Sequence, residues 1–215
     1  MLKRYGEELQ SVFDELIRMA SYAVGAVRKA QAALERGDAA AAKNIVEGDE
    51  NVNRFEKEIE QRALRIIIKY QPVANDLRDV TGALKMITDI ERIGDQAADI
   101  ASVFLKIGEA VKDDDLSAMF AHVADMATAA VNAFVNGDRK LAEKTIALDD
   151  RSDEMFASIK DKMCERLKSR PEEAEKIIYI MMIAKYLERI GDHAVNICEW
   201  AVFVKTGVYK GSEIM

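Results

Sequence analysis

The pentapeptide Glu91-Arg92-Ile93-Gly94-Asp95 returns unchanged, 97 positions later, as Glu188-Arg189-Ile190-Gly191-Asp192. Flanking residues match as well: Ala97 with Ala194, Ile100 with Ile197, and Asp99 with Asn196. A match of this length inside one chain points to an internal repeat, so the fold must be two copies of one unit. Other punctuation obeys the same rule. Gly37-Asp38 reappears as Gly137-Asp138, a glycine for a helix C-terminus followed by an aspartate for the next N-cap. Pro72 and Pro171, the two prolines of the chain, mark the same joint in each copy.

Between these marks the apolar spacing is helical throughout. One helix is predicted from about Tyr5 to Arg36, a second from Ala39 to Lys69, and a third from Pro72 to near Gly108. Lys112-Asp113-Asp114-Asp115 is a polar joint, with Asp115 placed to cap a fourth helix to about Asn136. A fifth runs on to Pro171 and a sixth to about Lys205, leaving residues 207–215 as a frayed end. No strand pattern competes. The expected fold is all-α, two tandem three-helix bundles of six long helices, with residues 1–111 as the first bundle and 112–215 as the second.

Each pentapeptide sets a Glu and an Asp at i and i+4, on one helix face. The row Val80, Leu84, Ile87, Glu91, Gly94, Ala98, Ala101, Leu105 follows the spacing of a buried stripe, and Glu91 is its one charge. Ile177, Met181, Ala184, Glu188, Gly191, Val195, Cys198, Val202 repeat the pattern. A carboxylate beside such a stripe must be paired, protonated or metal-bound. Sequence neighbours do not face each other on a helix, so pairing calls for an Arg or Lys from another helix. Gly94 and Gly191 lower helix propensity inside buried stripes, which suggests a close helix approach there.

The second helix of each copy adds an acidic face. Asp49 and Asn53 join Glu91, Asp95 and Asp99 in the first copy; Asp149 and Asp153 join Glu188, Asp192 and Asn196 in the second. Each set holds four carboxylates and one amide. Such groups repel one another unless cations or protons intervene. All-oxygen donors suit Mg²⁺, Mn²⁺, Ca²⁺ or iron, whereas thiolate or His-rich zinc sites lack ligands here. His193, beside Asp192, has Gln96 as its counterpart and is read as a bystander; His122 has no partner in sequence. Cys164 and Cys198 form no CxxC and read as reduced core thiols.

Bulk properties narrow the function. A net charge of -7 without a Lys/Arg tract argues against nucleic-acid binding. Glu7 and Glu8 interrupt the N-terminal residues, so no secretory leader is expected, and the most apolar stretch, Ile177 to Ala184, is too short to insert in a membrane. No P-loop, GxGxxG, nucleophile elbow or HExxH is present. Catalysis by a carboxylate–metal pair, as in two-metal hydrolases, stays open.

In its repeated Glu91…Asp95 and Glu188…Asp192, and in Asp149…Asp153 with the variant Asp49…Asn53, the chain resembles the PhoU family of phosphate-uptake regulators over nearly its whole length. The resemblance implies carboxylate clusters that bind metal ions, with iron, Mn or Mg as the expected occupants. It also implies a cytoplasmic negative regulator of phosphate uptake and the phosphate-starvation response. Such an adaptor would link the ATPase of a phosphate ABC transporter to a sensor histidine kinase, act as a homodimer, and catalyse nothing. An accessory subunit of another inorganic-ion transporter, or a metal-dependent hydrolase, is the alternative.

Overall fold

The computed structural model describes residues 2–210 and 212–213. Helix α1 spans Leu2–Arg36, α2 Ala39–Tyr70 and α3 Asn75–Ile107. The second copy comprises α4, Asp114–Asn136; α5, Arg139–Ile146; α6, Asp149–Ser169; and α7, Ala174–Thr206. The all-α, duplicated architecture expected from the repeat is therefore present.

The Gly-Asp joints work alike. Gly37 and Gly137 take left-handed backbone angles, φ 71° and 60°, which an L side chain adopts only with strain. Asp38 then accepts a hydrogen bond from the Ala41 N–H at 2.9 Å and Asp138 from the Leu141 N–H at 3.0 Å. The joint between the copies is capped by Asp113 rather than Asp115: its carboxylate accepts from the Asp115 and Leu116 N–H groups. Asp115 instead pairs with Lys162.

The proline joints differ. The first leaves four residues, 71–74, outside the helices, with Gln71 and Ala74 at positive φ, before α3 starts. The second is a 3₁₀ turn, Pro171–Glu173, leading directly into α7. The predicted fifth helix is also two helices. At the α5–α6 junction the Leu148 N–H bonds the Thr145 carbonyl at 3.0 Å, a tightened turn. His122 Nε2 donates to the Leu148 carbonyl at 3.1 Å, holding the break. In the first copy Tyr22 and Gly48 stand at these positions and α2 runs unbroken.

Helices α3 and α7 lie at the centre, in more extensive contact with each other than any other pair. They run antiparallel: Arg78 Nε, early in α3, donates to the Val204 carbonyl late in α7, while Asp89 meets His193 and Asn196. Each is covered by its own copy's other helices, and α1 packs on α4 across the halves, with Phe13 edge-on to Phe134 at 5.9 Å. Helix α4 is long and apolar enough to cross a bilayer by length and composition, which the sequence reading had not singled out. Its apolar residues Met119, Phe120, Val123, Ala127 and Ala130 are buried in this core.

The chain end is not frayed as far as it is described. Val208–Tyr209 pairs antiparallel with Ser212–Glu213, and the Tyr209 ring stacks on Trp200 at 4.0 Å. Lys210 Nζ reaches Glu199 at 3.1 Å, tying the hairpin to α7. The expectation for 211, 214 and 215 lies outside the described residues. Cys198 is buried as expected, but Cys164 is exposed, so only one of the two thiols belongs to the core.

Gly82 marks a close approach of α3 to the second copy. A Cβ there would sit 2.5 Å from Val204 Cγ2 and 3.1 Å from Phe134 Cε2. Gly82→Val should destabilise the protein by about 2 kcal/mol through overpacking, and adding Val204→Ala should recover part of the loss. Urea unfolding of the single and double variants checks this; additive losses would show that the two sites do not touch.

Candidate functional site

The pentapeptide glycines lie closely packed against α2 in the first copy and α6 in the second. A Cβ on Gly94 would lie 3.2 Å from both methyl groups of Val52 on α2. One on Gly191 would lie 3.2 Å from Ser152 Oγ and 3.5 Å from Asp149 Oδ1 on α6. The close approach carries the acidic faces of α2 and α6 against the Glu and Asp of α3 and α7.

In the first copy this gathers Asp49, Asn53, Glu91 and Asp95, with Asp99 exposed at the rim. Burial lifts Asp49 above the usual carboxylate range, and the charges of Asp95 and Asp99 push the same way. Asn53 Nδ2 donates to Asp49 Oδ2 at 3.3 Å and pulls against them. Burial likewise raises Glu91, helped by Asp95, Glu56 and Asp49, and raises Asp99, helped by Asp95. Glu56, absent from the expected set, is a further member: burial and Glu60 raise it and Asp95 adds to the effect. Its signal was its place three residues after Asn53 on the same face. The second copy has Phe156 there.

The second cluster joins Asp149, Asp153, Glu188 and Asp192. Burial pushes Asp149 up to about 6, reinforced by Asp192, Asp153, Glu188 and Asp150. Burial and Glu188 raise Asp192, while Lys185 and His193 oppose the shift.

Two expectations are corrected. Asn196 does not join the second cluster. Its Nδ2 donates to Asp89 Oδ1 on α3 at 3.2 Å, and its Oδ1 accepts from Lys210 Nζ at 3.4 Å, so both ends of the amide are engaged. His193 Nδ1 reaches the same Asp89 oxygen at 2.9 Å. The second correction concerns pairing. No other helix is needed, because Arg92 folds along α3, its Nε 3.3 Å from Glu91 Oε2 and its Nη1 3.0 Å from Asp95 Oδ2. In the second copy Lys185, one turn earlier, stands 2.5 Å from Glu188 Oε2. Arg189 instead lies near Asp99 and Tyr186 of the α3–α7 seam.

These cations leave the clusters incompletely satisfied. Asp49 Oδ1, Glu91 Oε2 and Glu188 Oε2 are buried and accept no hydrogen bond, since the Arg92 and Lys185 contacts are off the bonding direction. An all-oxygen donor set with orphaned buried oxygens fits a hard cation in chemistry. Among the described residues, however, no three His, Cys, Asp or Glu side chains are gathered tightly enough to hold one as they stand.

Fold and site together define a duplicated three-helix protein with one acidic cluster per copy. The chain belongs to the PhoU family: the PhoU domain model matches residues 16–104 and again 116–201. It is 31% identical over 209 residues to a phosphate-specific transport system accessory protein PhoU homolog of Clostridium acetobutylicum, covering 95% of each chain. It is 34% identical to a homolog of the same description in Caulobacter vibrioides, over 96% of this chain and 91% of that one. The crystal structure of PhoU from Pseudomonas aeruginosa superimposes with a TM-score of 0.90 at 28% identity, covering 95% of this chain and all of that one. The phosphate transport system regulatory protein PhoU from Streptococcus pneumoniae also gives 0.90, at 25% identity, over 95% of this chain and 98% of that one.

The raised acids set a pH dependence. A carboxyl whose folded pKa exceeds its unfolded value contributes stability that is present at low pH and lost as pH rises through the folded pKa. With Asp149 at about 6 against an ordinary 3.8, chelated protein should gain stability as pH falls from 7 to 5. The lowered Glu8, Glu35 and Glu173 oppose this only further down, below their ordinary 4.5. Urea midpoints in EDTA across pH 5–8 should show the gain, and Asp149→Asn should flatten it.

Proposed function

We propose that this protein is an accessory regulator of phosphate transport that represses phosphate uptake and the phosphate-starvation response when phosphate is plentiful. The observation that carries this is the PhoU domain match over both copies, joined to full-length relatives described as accessory to a phosphate-specific transport system. In this reading the protein works in the cytoplasm as a homodimer. It couples the transporter's ATPase to a sensor histidine kinase by protein contacts and catalyses no reaction. A strain lacking it should express a starvation-gene reporter in high phosphate, and the wild-type gene should restore repression. Unchanged repression in the deletion strain rejects the regulator; turnover of phosphate esters with added Mn²⁺ would favour a hydrolase instead.

We further propose that each cluster takes a metal ion, with iron, manganese or magnesium as the expected occupant. The ion would supply the positive charge that offsets repulsion among the carboxylates. Asp149, Asp153, Glu188 and Asp192 would hold it in the second copy once Lys185 swings away. Asp49, Asn53, Glu91, Asp95 and Asp99, joined by Glu56, would do so in the first, with Arg92 as the competing cation. Asn196 is left out because Asp89 and Lys210 occupy its amide. Glu188→Gln with Asp192→Asn should abolish the second copy's ion and leave the first copy's in place, halving the metal content of protein purified without a nickel column. A double variant with undiminished metal content would remove Glu188 and Asp192 from the ligand set.

A further inference from the structure

A cleft of about 370 Å³ opens between α1 and α2, on the side of α2 turned away from the first carboxylate cluster. Gly48 faces Tyr22 of α1, its missing Cβ 3.2 Å from the Tyr22 hydroxyl, whereas its neighbour Asp49 faces Asp95 of α3. The floor is apolar and built from small side chains, Ala26, Ala33 and Ala41, with Ile45. Lys29 and Arg36 stand on the rim. Both are exposed, and neither forms an ion pair among the described residues. Asp38, also at the rim, already accepts the Ala41 N–H that caps α2.

The second copy is an internal control. Counting from Gly37 and Gly137, the positions of Ala26, Ala41 and Gly48 hold Met126, Leu141 and Leu148. Met126 is fully buried and receives the Ser152 hydroxyl at 3.3 Å; Leu141 and Leu148 pack on the core. Lys29 and Arg36 correspond to Ala129 and Asn136. The same helix pair is thus filled with aliphatic side chains and lacks both rim cations in one copy, and is hollow with Lys29 and Arg36 at its edge in the other. The fold does not need the hollow. What fills the equivalent space shows its chemistry, and the unpaired cations in a chain of net charge -7 show the charge of its visitor.

We propose that this cleft is a docking site for a segment of a partner protein. The segment inserts a leucine or methionine side chain over Ala26, Ala41 and Gly48 and sets an aspartate or glutamate against Lys29 and Arg36. An anchor in a pocket with a charged rim is the usual division between affinity and specificity at such sites. The site requires no metal in either cluster and goes beyond the regulatory reading, since it names the surface and the chemistry of its partner.

A diazirine-bearing amino acid at Asn44, on the cleft wall, tests this in full-length protein inside cells. Photolysis should give an adduct whose mapped partner peptide carries Leu or Met with an Asp or Glu within four residues. Two variants should each reduce its yield at least tenfold. Tyr22→His with Ala41→Leu and Gly48→Leu grafts the two leucines of the second copy's filling, with His in place of the Tyr22 ring that would meet the new Leu at 48; Lys29→Glu with Arg36→Glu reverses the rim and leaves the core untouched. Thermal melting of both verifies folding, and the charge variant decides if the filled one is unstable. No adduct, an adduct with lipid or a small metabolite, a peptide without that pattern, or a yield unchanged by rim reversal overturns the proposal.

Discussion

The antiparallel seam between α3 and α7 is the constraint on which the molecule depends. Both helices are apolar around much of their circumference, and burying such surface, at about 25 cal/mol per Å², is the main driving force available. Each solves its problem by packing on its equivalent. Polar groups meet across the seam: His193 and Asn196 both bond Asp89, and Arg189 lies near Asp99 and Tyr186. Asp89 and Tyr186 are equivalent positions, as are Asp99 and Asn196, so one contact set has diverged about an approximate two-fold axis. With the seam fixed, the remaining faces are left for α1 and α2 or α4 and α6, and the glycines decide where the acidic faces arrive.

The repeat made the architecture legible. Glycine, aspartate and proline punctuate the backbone through conformations that few other residues share, so joints that recur in the same order in both copies are hard to misread. The carboxylate faces were legible for a similar reason, because helical periodicity places i and i+4 together whatever the surroundings. What escaped was tertiary. Asn196 lies at the right spacing for its cluster, but only the seam shows that Asp89 claims its amide. Arg92 was dismissed on Cβ direction, yet its side chain is long enough to fold back on neighbours. The α5–α6 break depends on His122, which is 26 positions before Leu148. The terminal hairpin is too short for any alternation pattern and is seated by tertiary contacts, the Tyr209 stack on Trp200 and the Lys210–Glu199 pair.

Divergence between the copies separates what the fold requires from what it merely permits. Ile59 and Ile159, or Ala42 and Ala142, are buried alike because both bundles need them. Other pairs differ in a compensating way. The first cluster loses a carboxylate at Asn53 and regains one at Glu56; the second keeps Asp153 and has Phe156, whose ring carries Lys185 Nζ 5.4 Å above it. Each cluster thus has its own resident cation held differently, by a folded-back arginine in one and by a lysine propped on an aromatic face in the other. The two sites are built from one plan and are not electrostatically interchangeable.

Trp200 is the sole tryptophan, and it lies face to face with Tyr209 and edge-on to Phe203 at 5.6 Å. Intrinsic fluorescence excited in the indole band therefore observes one location, the strap formed by the terminal hairpin against the last turns of α7. Emission reports whether that strap is seated and is blind to the first bundle. A fluorescence transition that precedes the loss of helical signal would measure the strap lifting as a separate event, with no label attached.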